Sequence, residues 1–457
     1  MNLVVMMLDS LRPDHVGCYG NAEVRTPHID AVGARGGVFE TAYAEYPITV
    51  PSRTALVSGD FTWTNRPWCP LRSYDLHIAE ILKASGYATA AFSDTPFSAG
   101  AGMDRGFDTF RFFQEGKCHM PVVEGRSFDD SQAFFPPHTT ERERAFYVKT
   151  MINRHYAMER HGKACPELLF DAALDWLDDH HAEPFFLWID TFEPHEPWCP
   201  EEPYRSLYQP GYTGRYIPFP VGPSSDWMTD EEIEHVLALY KGDITHTDEM
   251  VGRVVARLEA LGRTEDTVVA ILSDHGEPFG EHGTVRKYGV PVYDELARMV
   301  WVMSAPGRIE PGTRSPALVE NTDFLPTVLD LLGVEMPPRP RLGAWMDSGD
   351  GGGAECRGVS AMPLLRGEAS AVREHAYLGG FGLRAAVRTE QWKFIDHRGE
   401  KPNELFDMAA DPAERTNVAS REPALVRDLH RRLWEFQRIW SAALSWRDRP
   451  ASQRKEG

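Results

Sequence analysis

The sequence predicts an α/β fold: a large sheet covered by helices on both faces, followed by a small antiparallel sheet with one helix on it. Three observations predict it. Short, nearly continuous apolar runs bounded by turn residues recur from Leu3 to Ser304, as buried central strands do. Segments of helical period separate them. Beyond a Pro- and Gly-rich stretch the strand-like runs become short and closely spaced.

Leu3–Leu8 is the first strand. The residues before Asp9 include no basic region and no small-residue cleavage site, so the run reads as a buried strand and not as a secretory leader. Leu76–Ser85 has helical period and leads into the strand Ala88–Ser93. The segment from about Phe110 to Arg160 is aromatic and has no clear period, so it reads as an insertion, a lid or an oligomer contact. Helix Pro166–Asp179 precedes strand Pro184–Ile189. Asp230–Leu261 reads as one long helix that can break at Lys241-Gly242. Strands Thr267–Leu272 and Met299–Ser304 and helix Asn321–Leu332 complete the main unit. Pro337–Arg357 reads as a linker. Leu383–Thr389, Trp392–His397 and Glu404–Met408 are β-like, and Glu422–Ser441 is a final helix. The expected division is a catalytic unit over 1–365 with the 110–160 insertion, a small α+β subdomain over 366–445, and a mobile polar tail over 446–457.

Lys and Arg number 48 against 68 Asp and Glu, a net charge of −20. An acidic surface repels phosphate backbones, which argues against nucleic acid as a partner but leaves room for a small anionic ester in a local cationic pocket. No stretch of about 20 apolar residues occurs, so no membrane partner is expected. Six cysteines without CxxC spacing read as reduced thiols, and the expected location is cytoplasmic. A homo-oligomer is compatible with all of this.

Three groups that can carry chemistry fall beyond strand ends, where open α/β sheets collect ligands. Asp9 follows the first strand and opens Asp9-Ser10-Leu11-Arg12-Pro13-Asp14-His15; a carboxylate there is a hard-metal ligand or, more plainly, a turn residue. Asp190 opens Asp190-Thr191-Phe192-Glu193-Pro194-His195-Glu196-Pro197, in which His195 either contacts an anion or is a buried histidine braced by prolines. Asp274-His275 lies in Ser273-Asp274-His275-Gly276-Glu277, followed by Gly280-Glu281-His282-Gly283 and Lys287, and offers two metal donors of different hardness. The fourth group is Thr49-Val50-Pro51-Ser52-Arg53. Thr49 is there either a nucleophile in the positive field of a helix start or a simple N-cap.

Together these runs resemble the sulfatases of the alkaline-phosphatase superfamily. Thr49 through Ser58-Gly59 is similar to their signature, Asp9 to their first metal-binding Asp, Asp274-His275 to the metal-binding pair, and His195 and Lys287 to positions that face the transferred group. Weaker likenesses at Tyr240, Asp243, Asn321–Thr327 and Trp392–Phe394 are markers of fold. The resemblance implies a mixed, mostly parallel sheet and a divalent metal held by Asp9, Asp274, His275 and Thr49. In that family the Thr49 position is a Cys or Ser oxidised to formylglycine, and a secondary alcohol cannot give that aldehyde. Ser10 stands where many members have a second Asp, and His275 where calcium-dependent members have Asn. That shift favours manganese or zinc over calcium.

The expected function is therefore a metal-dependent hydrolase of phosphodiesters, phosphonate monoesters or phosphate monoesters working through phospho-Thr49. Arg53, Lys287 and His195 would offset charge on the non-bridging oxygens, and His195 or His282 would protonate the leaving alcohol. One alternative is a sulfuric ester hydrolase working without formylglycine. Others are a catalytically silent metal- or anion-binding protein and an enzyme that transfers its group to an alcohol. A second metal on Asp190, His195 and His282 is a weaker reading, because the spacing does not match two-metal enzymes.

Overall fold

The computed structural model describes residues 1–64, 68–95, 98–114, 125–136, 139–220, 226–287, 289, 291–337, 356–380 and 384–441. Among them, eight strands form one sheet: β1 (Asn2–Leu8), β2 (Gly37–Tyr43), β3 (Ala88–Ser93), β4 (Thr109–Phe112), β5 (Phe185–Thr191), β6 (Thr267–Leu272), β7 (Trp301–Ser304) and β8 (Thr313–Glu320). Their spatial order is β4-β3-β5-β1-β6-β7-β2-β8. β7 is antiparallel to both neighbours and every other pairing is parallel, which makes the sheet mixed and mostly parallel. A second sheet of β9 (Ala376–Gly379), β10 (Ala385–Arg388), β11 (Trp392–Asp396) and β12 (Glu404–Asp407) is wholly antiparallel.

The helices are α1 (Pro27–Arg35), α2 (Thr49–Ser58), α3 (Ile78–Ala84), α4 (Glu141–His161), α5 (Cys165–His180), α6 (Asp230–Ala260), α7 (Asp294–Ala297), α8 (Phe324–Leu332), α9 (Met362–Leu365) and α10 (Pro423–Ser441). The continuous apolar character of β1 follows from a sheet covered on both sides, because alternate residues serve opposite faces. Val4, Met6 and Leu8 pack with α1, α5 and α6, while Leu3, Val5 and Met7 pack with α2, α3, α8 and α9. The small sheet is also covered twice. Ala376, Leu378, Ile395 and Phe406 meet Tyr43, Val292 and Leu318 of the main unit, and Val387, Phe394 and Leu405 meet Leu429 and Leu433 of α10. No described helix is long and apolar enough to cross a membrane.

Two expectations change. The segment read as irregular contains α4, a helix of 21 residues. Its buried side includes Thr150, Asn153 and Arg154 beside Tyr147, Met151 and Ile152, so no clean apolar stripe advertises it. The long helix α6 does not break at Lys241-Gly242. Gly242 is there because Tyr204 O lies 2.4 Å from where a Cβ would stand, a close approach that a helix interior tolerates only with glycine. Of the expected linker only residues 337, 356 and 357 are described, and the expected tail lies outside the described residues.

Candidate active site

β5, β1 and β6 are neighbours and parallel, so their carboxyl ends deliver Asp190, Asp9 and Asp274-His275 to one place. The Asp9 N–H donates to Thr191 O at 3.1 Å, which ties the first two ends together. Ser10 turns the chain at φ 63°, a left-handed conformation that strains a non-glycine residue. Four hydrogen bonds hold it. Ser10 Oγ donates to Asp9 Oδ1 (2.8 Å) and Ser10 N–H to Asp274 Oδ1 (3.0 Å), while Tyr240 Oη donates to Ser10 O (2.8 Å) and accepts from Arg12 N–H (3.0 Å). The serine in place of a second acid thus sets the rotamers of the two acids on either side.

His275 Nδ1 lies 2.7 Å from Gly276 O, which makes Nδ1 the protonated nitrogen and leaves the Nε2 lone pair for a ligand. Nε2 is 3.4 Å from Asp274 Oδ2 and 4.0 Å from Asp9 Oδ1. One ligand atom each from Asp9, Asp274 and His275 lies within 4.8 Å of the others. His275 Nε2 is fully buried and lacks a hydrogen-bond partner, a costly state that a divalent cation shared with the Asp9 and Asp274 carboxylates removes. Burial, with help from Lys287, pushes His275 down to about 3 and keeps its imidazole in the neutral, metal-ligating form. Burial and the neighbouring Asp274 carboxylate push Asp9 up. For Asp274 burial acts upward too, but its neighbours hold the carboxyl down, Arg53 and Lys287 by charge and the Ser10 N–H by its hydrogen bond. Two like charges this close favour an added cation. The residues fit a divalent metal.

Thr49 is the first residue of α2, and the cap is Ile48, which makes no side-chain cap bond. Thr49 is therefore not the N-cap. The whole of α2 is buried, so its N-terminal dipole acts in a low-dielectric setting. Ser52 Oγ donates to Asp274 O at 2.6 Å, and Asn321 Nδ2 donates to Ser52 Oγ at 3.0 Å, which locks the helix start onto the end of β6. One turn on, Arg53 meets three carboxylates. Nη2 lies 2.8 Å from Asp190 Oδ1 and 3.1 Å from Asp9 Oδ2, and Nη1 bonds Asp274 Oδ2. Nη1 also reaches Thr49 O at 3.3 Å. Asp190 is spent on this arginine, with Thr95 Oγ1 (2.9 Å) and Ser98 Oγ (3.1 Å) donating to it. It fixes Arg53 and does not join a second metal group among the described residues.

A second buried cluster holds Lys287 and His195. Lys287 Nζ is 2.8 Å from His195 Nε2 and 3.1 Å from Glu277 Oε2. His195 Nδ1 is 2.7 Å from Glu196 O, so Nε2 is the acceptor of the Lys287 proton. Burial pushes His195 down to about 4, with Lys287 adding to it against Glu196. Burial raises Glu277 to about 7 despite Lys287. Lys287 acts coulombically on Asp9, Asp274 and His275, so this cluster borders the first.

The structure does not bring His282 into either cluster. Its Nδ1 is 2.6 Å from Glu295 Oε1, its Nε2 is 3.1 Å from Glu414 O, and its ring stacks on Tyr293 at 3.7 Å. Both nitrogens are engaged, Nδ1 with α7 and Nε2 with the C-terminal subdomain, so the expectation that His282 protonates the leaving group is revised. His282→Ala is expected to lower the melting temperature, through two lost bonds worth about 1 kcal/mol each, while turnover changes less than tenfold. Loss of turnover at an unchanged melting temperature would restore the proton-donor role.

Sequence reasoning missed Ser10, Ser52 and Arg286 as parts of the site, and treated Glu196 and Glu277 only as parts of motifs. Glu196, directly beside His195, was the one with a readable signal. The left-handed turn at Ser10 had none.

Two family models match the chain: one described as Sulfatase, over residues 1–334, and one described as N-sulphoglucosamine sulphohydrolase, C-terminal, over residues 280–439. Arylsulfatase K of Rattus norvegicus is 26% identical over 94% of this chain and 77% of its own length. An arylsulfatase of Clostridium perfringens is 24% identical over 92% of this chain and 90% of its own. Among solved structures, the phosphonate monoester hydrolase of Agrobacterium radiobacter has the same fold, with a TM-score of 0.73, 22% identity, and coverage of 97% of this chain and 96% of that one.

Proposed function

The chain belongs to the sulfatase family of the alkaline-phosphatase superfamily and is an ester hydrolase of that family, and we propose from that premise that the ester it cleaves is a sulfate ester of a small anionic substrate. The observation that carries this reading is the likeness to arylsulfatases over more than nine tenths of the chain, with Arg53 in contact with Thr49 O and a buried Lys287–His195 pair available for an anion. It replaces phosphoryl transfer as the first reading. Family members bind a divalent metal, and Asp9, Asp274 and His275 would hold it here. A nitrogen and two carboxylates suit manganese or zinc better than calcium. Bound there, the metal would supply Lewis-acid charge at the reacting oxygens.

The chain's own groups divide the remaining work. Thr49 Oγ–H gives its proton to solvent water and the oxygen attacks sulfur, helped by the α2 dipole. Arg53 and Lys287 offset charge on the non-bridging oxygens. The bond to the leaving oxygen breaks, and that oxygen takes its proton from the Lys287–His195 pair, whose Nζ–H is already directed at an acceptor. Thr49 has no second hydroxyl to expel the product, so water cleaves the Thr49 ester.

One observation favours a second reading. A threonine ester that only water can clear suits phosphorus, which places phosphodiesters, phosphonate monoesters and phosphate monoesters next in line. The test is a set of nitrophenyl esters (sulfate, phosphate, phosphodiester and phosphonate) offered to protein loaded with manganese or zinc. The sulfate is expected to have the highest kcat/KM. Dominance of any phosphorus ester by more than tenfold would reverse the order of the two readings, and metal binding without turnover of any ester would leave a binding protein.

A further inference from the structure

Arg286 precedes Lys287, and the chemistry above gives it no part. Its backbone stands at φ 74°, a conformation a non-glycine residue keeps only when its side chain is well held. It is well held. Nε and Nη2 lie 2.8 and 2.7 Å from Glu196 Oε1, Nη1 donates to Pro220 O at 3.1 Å, and the guanidinium sits 4.2 Å over the Phe219 ring. Glu196 is 1% exposed, and a carboxylate that deep requires a cation. Arg286 is the nearest one; Lys287 Nζ stands 3.8 Å away. The other oxygen of Glu196 is 3.0 Å from His195 Nδ1.

Phe219 ties this pair to the inserted segment. Its ring lies 5.5 Å from Phe146 of α4, and both belong to a cluster with Tyr147 and Met151 of α4 and with Cys199. A continuous path therefore runs from α4 through Phe219, Arg286 and Glu196 to His195.

We infer that Arg286 is a positioning residue: it holds Glu196 against the Nδ1 side of His195 and reserves Lys287 for the transferred group, with the aromatic insertion as its support. The inference rests on the roles proposed above for Lys287 and His195. Without Arg286, the cation left for Glu196 is Lys287, which turns away from the substrate to meet it. The charged groups facing His195 are Glu196 and Lys287, with Arg286 behind Glu196, Glu277 beyond Lys287, and His275 across the site. Removing Arg286 unmasks Glu196, whose charge favours protonated His195. A protonated His195 repels Lys287 at 2.8 Å, so the acid limb of activity moves to higher pH.

The experiment compares full-length, manganese-loaded wild type with Arg286→Ala, Arg286→Lys and Phe219→Leu. Arg286→Ala is expected to lower kcat by on the order of 100-fold and to move the acid limb of kcat/KM upward by about one unit. Arg286→Lys, which keeps the charge, is expected to restore the limb, and Phe219→Leu to shift it by less. The same shift is read without turnover from the His195 ring in NMR of zinc-loaded protein, assigned by its loss in His195→Gln. A merely structural role would lower the melting temperature and leave both titrations in place. Unchanged titrations in Arg286→Ala overturn the inference, as they do in Phe219→Leu if the alanine variant fails to fold. A wild type that turns over no ester sinks the proposed function instead, and the ring titration then still decides the inference.

Discussion

Thr49→Ala is expected to lower turnover by at least about 1,000-fold while divalent-metal content and melting temperature stay near wild type. Removing a covalent nucleophile typically costs that much or more, with the residue coming from the binding groups left behind. The separation of effects follows from position. Thr49 opens α2 without capping it, and the candidate metal donors Asp9, Asp274 and His275 come from two other segments. The bonds that lock α2 to β6 are made by Ser52 and Arg53, which the substitution leaves intact. Thr49→Ser keeps a hydroxyl and is expected to retain most turnover. Acid quenching of wild type during turnover should leave a sulfuryl or phosphoryl group on the peptide that contains Thr49, and its identity discriminates the two readings. Turnover within tenfold of wild type in Thr49→Ala would mean that water attacks the ester directly and that no covalent step exists.

Arg53→Ala is expected to be the most destabilising single change at the site. Arg53 is buried among Asp9, Asp190 and Asp274; burial acts against its charge, and the three carboxylates prevail and keep it charged. Truncating one partner of a buried ion pair typically costs about 3–5 kcal/mol, because the other charge is stranded. Here three charges are stranded, and chemical unfolding of metal-free protein is the measurement. Added metal should recover part of the loss, since it neutralises Asp9 and Asp274 but not Asp190. The metal-induced gain in stability should thus be larger in the variant than in wild type. Arg53→Lys is not expected to rescue, because an ammonium cannot match three carboxylates and Thr49 O with one planar fork. An unchanged midpoint in metal-free Arg53→Ala would show that the carboxylates find protons or another cation, and that Arg53 is no structural pivot.

Much of this site was legible before any coordinates. Asp9, Thr49, Arg53, Asp274 and His275 lie in short runs whose chemistry shows in the residue types, and the apolar runs before Asp9 and Asp274 marked them as strand ends. The strands Ala88–Ser93 and Thr267–Leu272 have the expected bounds. β2, β4, β8 and, in the small sheet, β9 were not anticipated. β4 is short, and β2 and β8 carry exposed or half-buried polar residues that interrupt the apolar pattern. Asp190 was expected past its strand and instead sits within β5, paired with Met7.

His282 marks the limit of motif reading. In sequence it stands between two glycines, seven residues after His275, and reads as a site residue. In the fold its ring is used by the Glu295 carboxylate, the Glu414 backbone carbonyl and the Tyr293 ring, groups brought to it by packing between the two sheets. The sequence by itself determined the sheet with helices on both faces and singled out Asp9, Asp274 and His275 as candidate metal donors and Thr49 as the candidate nucleophile, because strand periodicity and donor chemistry are local properties of the chain. Tertiary structure alone decided that Asp190 serves Arg53, that Ser10 aims the two acids, and that Arg286 stands behind His195. Each of these depends on which distant side chain lies within about 3 Å, the reach of a hydrogen bond, and that is settled only when the strands take their order in the sheet.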